Sequence, residues 1–145
     1  GEIGHLPLTS PDRVCGCGRR GCVEAVASTT AIAAALSEAH GRPLTIGEAV
    51  ELRRAGDSAA IRVFDEAGRV IGAAIASLVN LVGPELVVIG GEGVSDFDLI
   101  EEPLCRSYAE HVFASADQCQ VAVRPHTFED WARGAAAAAI RALVV

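Results

Sequence analysis

The chain has 145 residues, 50% of them hydrophobic and only 4% aromatic, so one domain or lobe can bury a core of Ala, Val, Leu and Ile. A formal net charge of −7 disfavours binding to a phosphate backbone, so we expect contact with DNA only through another segment of a longer protein. We expect no secretory signal, and the apolar segment Val70–Val82 is too short to span a bilayer. The cysteine usage favours a reducing cytoplasm over a disulfide framework.

The first predicted element, residues 1–24, is a glycine- and cysteine-rich loop. Cys15, Cys17 and Cys22 form a C-x-C-x4-C pattern, and His5 lies upstream of it. Three thiolates and one imidazole make a Cys3His set, which is typical of closed, structural zinc sites. The alternatives are a reduced loop without metal and a Cys15–Cys17 disulfide, which would be strained because one residue separates the cysteines.

Two carboxylates bracket this loop, Glu2 at its start and Glu24 at its end. A metal that fixes both ends of the loop would bring both carboxylates near it, where they could accept hydrogen bonds from sugar hydroxyls. From the residues alone, the simpler interpretation is a solvated terminal charge for Glu2 and a favourable charge in a helix first turn for Glu24.

Three helices are predicted after the loop. The first runs from about 22 to 40 and stops at Gly41. The second, 45–55, opens with the capping box Thr45-x-x-Glu48. The third, 57–82, has an apolar stripe of helical period. It also carries a line of small residues that would let another backbone approach closely, namely Gly68, Gly72 and Ala76.

An α/β unit is predicted from there to the end of the chain. The apolar run Glu85–Ile89 predicts a buried parallel strand, followed by a helix at about 98–113, a strand at 120–124 and a helix at 129–143. The Gly90–Gly91 turn after the first strand would let a ligand approach backbone N–H groups. As a signal for a nucleotide it is weak, because many such turns only reverse the chain.

Four segments in order resemble the ROK family of repressors, open reading frames and sugar kinases: GEIGH, CGCGRRGCVEA, NLVGPELVVIGG and RGAAAAA. The resemblance covers essentially the whole chain. It implies the C-terminal lobe of the actin-like ATPase (ribonuclease-H-like) fold, with a zinc and sugar loop at 1–24, a scaffold at 25–145 and the N-terminal lobe absent. The lack of methionine and the start inside a motif also predict a fragment of a longer protein.

The same resemblance assigns roles to individual residues. One ring nitrogen of His5 would bind zinc and the other N–H would face a sugar hydroxyl. The family's catalytic aspartate and phosphate loops lie upstream of GEIGH, so no catalytic residue and no phosphoryl transfer are expected from this chain alone. By resemblance the zinc ligands are His5, Cys15, Cys17 and Cys22, the sugar contacts are Glu2, His5 and Glu24, and the residues near a nucleotide are Gly90 and Gly91.

Two functions follow for the parent protein. The first is a sugar-responsive transcriptional regulator, in which this chain is the effector-binding lobe; the segments RRGCVEAVAS and AHGRPLTI resemble the family's regulators. The alternative is a glucokinase-like sugar kinase that uses ATP and Mg²⁺. A simpler third hypothesis is a zinc-stabilised dimerisation lobe without a ligand. The small-residue line in helix 57–82 favours a homo-oligomer, a dimer or tetramer.

Overall fold

Six α-helices and two parallel strands form the described part of the chain. The computed structural model describes residues 2–113, 119–125 and 128–144, without the side chains of Glu92, Phe128 and Val144. Two 3₁₀ helices, Ile3–His5 and Glu92–Leu99, complete it. The elements are α1 (Glu24–Ala27), α2 (Thr29–His40), α3 (Ile46–Arg54), α4 (Ser58–Val82), β1 (Leu86–Gly90), α5 (Glu101–His111), β2 (Gln120–Arg124) and α6 (Phe128–Val144).

The predicted helix 22–40 is two helices that meet at Ser28. The Ser28 backbone is extended, with φ −74° and ψ 153°, and its hydroxyl accepts a 3.1 Å hydrogen bond from the Ala31 N–H. The side chain therefore caps α2, an alternative to continuing the helix that serine offers readily. The prediction of one continuous helix is wrong at this residue. Its end is confirmed, because Gly41 adopts the left-handed conformation at φ 64°.

The capping box of α3 is confirmed. The Thr45 hydroxyl accepts from the Glu48 N–H at 3.3 Å, and the Glu48 carboxylate accepts from the Thr45 N–H at 2.9 Å. The hydrogen bond from the Thr45 N–H and a second from Arg42 lower the pKa of Glu48 to about 2. Glu48 is therefore ionised at neutral pH. The expected start of α4 is also confirmed, since Asp57 accepts a hydrogen bond from the Ala60 N–H at 2.9 Å.

The line of small residues on α4 contacts α5 of the same chain. A Cβ atom at Gly72 would meet the Leu104 carbonyl oxygen, and one at Gly68 would lie 2.7 Å from the Ile100 carbonyl oxygen. Beside this contact the buried Ser107 hydroxyl donates to the Arg69 carbonyl at 2.7 Å. The expected close approach of another backbone is confirmed. Because that backbone belongs to α5, the line gives no support to an oligomer.

The two strands pair in parallel, as predicted, in a register that runs from Leu86 opposite Gln120 to Gly90 opposite Arg124. Val87 and Ile89 on one face of β1 pack against a cluster on α4 and α5. On the other face Leu86 and Val88 are 50% and 56% exposed. The prediction of a buried strand is therefore wrong for this face, because the described helices cover only one side of the sheet.

The remaining predicted helices are present with changed bounds. The helix expected at 98–113 begins at Glu101, and the kinked 3₁₀ helix precedes it. The last helix starts and ends one residue outside its expected 129–143 bounds, and its residues 131–143 are exposed. In the described ranges, no helix combines the length and the apolar character needed to cross a membrane.

We predict that Gly72→Ala destabilises the lobe by about 1–3 kcal/mol or more, because the added methyl group collides with the α5 backbone. Gly47→Ala is the matched control. The nearest atom to a Cβ there is 3.9 Å away, so this change should be neutral or stabilise by roughly 0.5 kcal/mol through helix propensity. Urea denaturation of both variants measures the difference. Equal stability of the two would contradict the close α4–α5 contact.

Candidate functional site

The cysteine loop closes on itself through backbone hydrogen bonds. The Cys15 N–H donates to the Arg19 carbonyl at 2.8 Å, and the Gly21 N–H donates to the Arg13 carbonyl at 2.8 Å. Gly21 has φ +76°, and a Cβ there would lie 3.0 Å from the Thr9 carbonyl oxygen. Glycine is therefore required at this turn, because a larger residue would be both strained and crowded. These bonds set the spacing of the three cysteines.

The loop is fixed to the scaffold at its C-terminal end. The Val23 N–H donates to the Leu6 carbonyl at 3.0 Å, so the two ends of the loop lie side by side. Val23 and Val26 are buried against Val70 and Ala74 of α4, and Leu6 packs on the same cluster. Burial of this apolar surface holds the loop against the long central helix.

One more contact restrains the loop, and no sequence pattern predicted it. Arg13 in the loop reaches Glu66 on α4 at 3.5 Å. Both side chains are partly exposed, so this ion pair contributes little by itself. It does restrain the loop near Cys15, where a small shift would move a candidate ligand.

The four predicted metal ligands lie together. The ligand atoms of His5, Cys15, Cys17 and Cys22 are all within 4.8 Å of one another. The His5 Nδ1 is 3.9 Å from the Cys15 Sγ, and the Sγ atoms of Cys17 and Cys22 are also 3.9 Å apart. A tetrahedral ion with Zn–S bonds of about 2.3 Å holds its ligand atoms about 3.8 Å apart. The residues therefore fit a tetrahedral ion, and all five cysteines are free thiols.

The environment of the cluster also favours a cation. Burial, together with the neighbouring Cys17 and Cys15, raises the pKa of the Cys22 thiol to about 11. The pKa of Cys17 is lowered, first by a hydrogen bond from the Arg19 backbone N–H. Thiols that bind a divalent metal lose their protons to it.

His5 connects the metal cluster to Glu24. Its Nδ1 faces Cys15, whereas its Nε2 lies 3.7 Å from the Glu24 Oε2. Glu24 is in the first turn of α1 and about half exposed, so its carboxylate is accessible. The backbone of Gly4 passes close to this carboxylate, since a Cβ there would lie 3.5 Å from the Oε2. A ring nitrogen and a carboxylate thus face each other beside the cluster.

Glu2 adjoins the site only through its backbone. Its carbonyl accepts the His5 N–H at 3.1 Å, and its side chain is exposed to solvent. A groove of about 510 Å³ opens beside Glu24, between the cysteine loop and α2. Its volume falls in the range of small-molecule pockets. The described structure therefore brings His5, Glu24 and the three cysteines together, whereas the Glu2 side chain is not part of this group.

Of the two predicted nucleotide residues, Gly90 lines a separate cavity and Gly91 does not. Gly90 ends β1, and Gly91 follows with φ 128°, a conformation that favours glycine. A largely apolar cavity of about 240 Å³ lies against Gly90. Ala27 and Thr29, which flank Ser28, line its opposite side. The cavity is therefore near the α1–α2 junction, a few residues from Glu24 along the chain.

Comparisons with known proteins agree with these features. A family model described as "ROK family" matches residues 1–142. The N-acetylgalactosamine kinase AgaK of Shewanella sp. (strain ANA-3) is 29% identical over 94% of this chain and 46% of its own length. The chain thus spans less than half the length of this curated relative.

Two solved structures are similar in fold. A ROK hexokinase from Thermus thermophilus superposes with a TM-score of 0.71 at 32% identity, over 88% of this chain and 44% of the hexokinase. A ROK family transcriptional regulator, described as a homologue of the E. coli MLC protein, superposes with a TM-score of 0.70 at 28% identity, over 85% of this chain and 34% of the regulator. Both carry the α/β architecture predicted here, the actin-like ATPase fold.

We predict about one zinc ion per chain in freshly reduced protein and clearly less in Cys17→Ser, because only three ligands remain in that variant. Cys105→Ser is the control, since Cys105 is exposed and outside the cluster. Mass spectrometry of the metal content of each purified protein measures this. Wild-type protein without metal, or full zinc in Cys17→Ser, would refute the four-ligand site.

Proposed function

The chain belongs to the ROK family, and we propose that it is the zinc-stabilised, sugar-binding lobe of a longer protein. The observation that carries the proposal is the geometry of His5, whose Nδ1 faces the cysteine cluster and whose Nε2 faces the Glu24 carboxylate. The names of the similar kinases add support, because one is called a hexokinase and another an N-acetylgalactosamine kinase.

The chemistry of the imidazole follows from its metal-facing nitrogen. A metal on Nδ1 leaves the proton on Nε2, so Nε2 becomes a hydrogen-bond donor. The 3.7 Å between Nε2 and the Glu24 oxygen is too long for a direct hydrogen bond. One donor and one acceptor at this separation can both bind a single sugar hydroxyl, which accepts from Nε2–H and donates to the carboxylate. Glu2, whose side chain is exposed, would bind a further hydroxyl of the sugar.

The finer form of the proposal is the effector-binding lobe of a transcriptional regulator. Its support is the resemblance of the segments around Cys22 and Arg42 to the family's regulators, together with the similar fold of a ROK regulator. DNA would then be bound by another domain of the parent protein. A homo-oligomer and a cytoplasmic location belong to this proposal as predictions.

A second candidate is the C-terminal lobe of an ATP- and Mg²⁺-dependent sugar kinase. The cavity against Gly90 favours it, because an apolar cavity beside a strand that ends in Gly-Gly can hold the base of a nucleotide, with Gly90 and Gly91 close to the nucleotide. The names of the curated relatives favour it as well. The base and phosphate loops of such a kinase would belong to the rest of the parent protein.

We predict that Glu24→Gln weakens hexose binding by roughly tenfold, because a charged hydrogen bond to the hydroxyl becomes a neutral one. Glu110→Gln, an exposed change on α5, is the control and should leave affinity unchanged. Isothermal titration of the full-length protein with a panel of hexoses and N-acetylhexosamines gives the affinities. Equal affinity of Glu24→Gln and wild type for the sugar that binds would refute the proposed contact between Glu24 and a sugar hydroxyl.

The regulator and kinase forms predict different reactions with ATP. A kinase should convert ATP to ADP in the presence of Mg²⁺ and its sugar, whereas a pure regulator should bind the sugar without consuming ATP. A coupled ADP assay on the full-length protein with the same sugars measures this. Sugar-dependent ADP formation would eliminate the pure regulator, and sugar binding without ADP would eliminate the kinase.

A further inference from the structure

The apolar cavity beside Gly90 lies between two walls that are far apart in the sequence. Ile46 and Val50 of α3 line one wall, and Gly93, Val94 and Phe97 of the 3₁₀ helix line the other. A ligand that enters this cavity must contact both. The shape of the cavity therefore depends on what holds the 3₁₀ helix at its distance from α3.

The 3₁₀ helix is irregular. It has no side-chain cap at its start, and the Val94 N–H donates to the Gly91 carbonyl at a long 3.3 Å. It is interrupted at Asp96, whose backbone is not helical (φ −112°, ψ 22°). Poor hydrogen-bond geometry makes 3₁₀ segments weak by themselves. Beyond the packing of Phe97 and Leu99 against the core, the position of this one depends on restraint from neighbouring elements.

Arg54, the last residue of α3, supplies that restraint. Its two terminal nitrogens donate to the two carboxylate oxygens of Asp98 at 2.9 and 3.1 Å, and one of them also donates to Asp96 at 3.0 Å. The guanidinium lowers the pKa of the Asp98 carboxyl, first through the side-chain hydrogen bond. The neighbouring Arg53 adds a longer bond, 3.4 Å, to the Leu99 carbonyl.

Most single ion pairs on a protein surface contribute little to stability. The Arg54 guanidinium is held more rigidly, because both of its terminal nitrogens bind Asp98 and one of them also binds Asp96. Arg54 therefore does more than an isolated pair such as Arg106 with Glu102 on α5. The two aspartates lie on either side of Phe97, a cavity-lining residue. Their restraint fixes the wall that Phe97 forms.

We propose that Arg54 is a positioning residue, which holds Glu92–Leu99 against α3 and so shapes the apolar cavity beside Gly90 for the base of a bound nucleotide. The proposal rests on the kinase form of the proposed function, in which the base of the nucleotide enters that cavity. Arg54 does not contact the ligand in this account. It acts through Asp96 and Asp98.

The test uses the full-length protein with three variants. In Arg54→Ala, hydrogen exchange of residues 92–99 should become faster, and the affinity for Mg-ATP should fall roughly three- to tenfold while the hexose affinity changes less than twofold. Arg54→Lys keeps the charge but cannot bind both aspartates as a fork, so it should restore only part of the loss. Arg106→Ala, which removes an exposed ion pair elsewhere, should change neither affinity.

Each contrary result has a separate meaning. Unchanged exchange in residues 92–99 of Arg54→Ala would show that the contact does not restrain the segment, and the proposal would fail. Faster exchange with unchanged Mg-ATP affinity would overturn the positioning role and leave the nucleotide proposal standing. Wild-type protein that binds no Mg-ATP would overturn both, and equal losses of hexose and Mg-ATP affinity would indicate general destabilisation instead.

Discussion

The imidazole of His5 is the part of this lobe on which the proposed function depends. It belongs to a cluster whose four ligand atoms lie within 4.8 Å of one another, and its second nitrogen faces a carboxylate. A metal in that cluster would fix both the tautomer and the direction of the ring. Two groups that could bind a sugar, the Nε2–H and the Glu24 carboxylate, would then have a defined separation. The metal would orient the sugar-binding groups without contacting the sugar.

The long helix α4 holds the cysteine loop, and with it His5, in position. Val23 and Val26 dock the end of the cysteine loop on this helix, and the same helix holds α5 through the close contact at Gly72. α5 and α4 together cover one face of β1, which ends at Gly90. The candidate sugar site and the candidate nucleotide cavity are therefore both built on one long helix. A displacement of α4 would affect both.

Local signals in the sequence were sufficient for most elements and for the metal cluster. The Cys3His spacing, the capping box at Thr45 and the small-residue line at Gly72 each depend on residues close in sequence or on helical period. The break at Ser28 was missed because the apolar pattern continues through it, and one hydroxyl decides the local geometry.

Charged contacts between distant segments could not be predicted from the sequence. Arg54 and Asp98 are separated by 44 positions and Arg13 and Glu66 by 53, and no periodicity relates them. The exposed face of β1 was missed for a related reason, since an apolar run does not show which side of a strand is covered. The candidate sugar site was partly predictable. Its residues were predicted from the sequence, but the 3.7 Å distance between His5 Nε2 and Glu24 Oε2 is set by the fold and could not be.

The most direct test is hexose affinity measured on one preparation of full-length protein before metal removal, after removal by a chelator under reducing conditions, and after addition of one equivalent of Zn²⁺. The account predicts that hexose binding is lost with the metal and returns with it, while circular dichroism shows that the α4–α5 scaffold persists. Hexose affinity that is the same in metal-free and zinc-loaded protein would contradict the account, because His5 would then need no metal to bind the sugar.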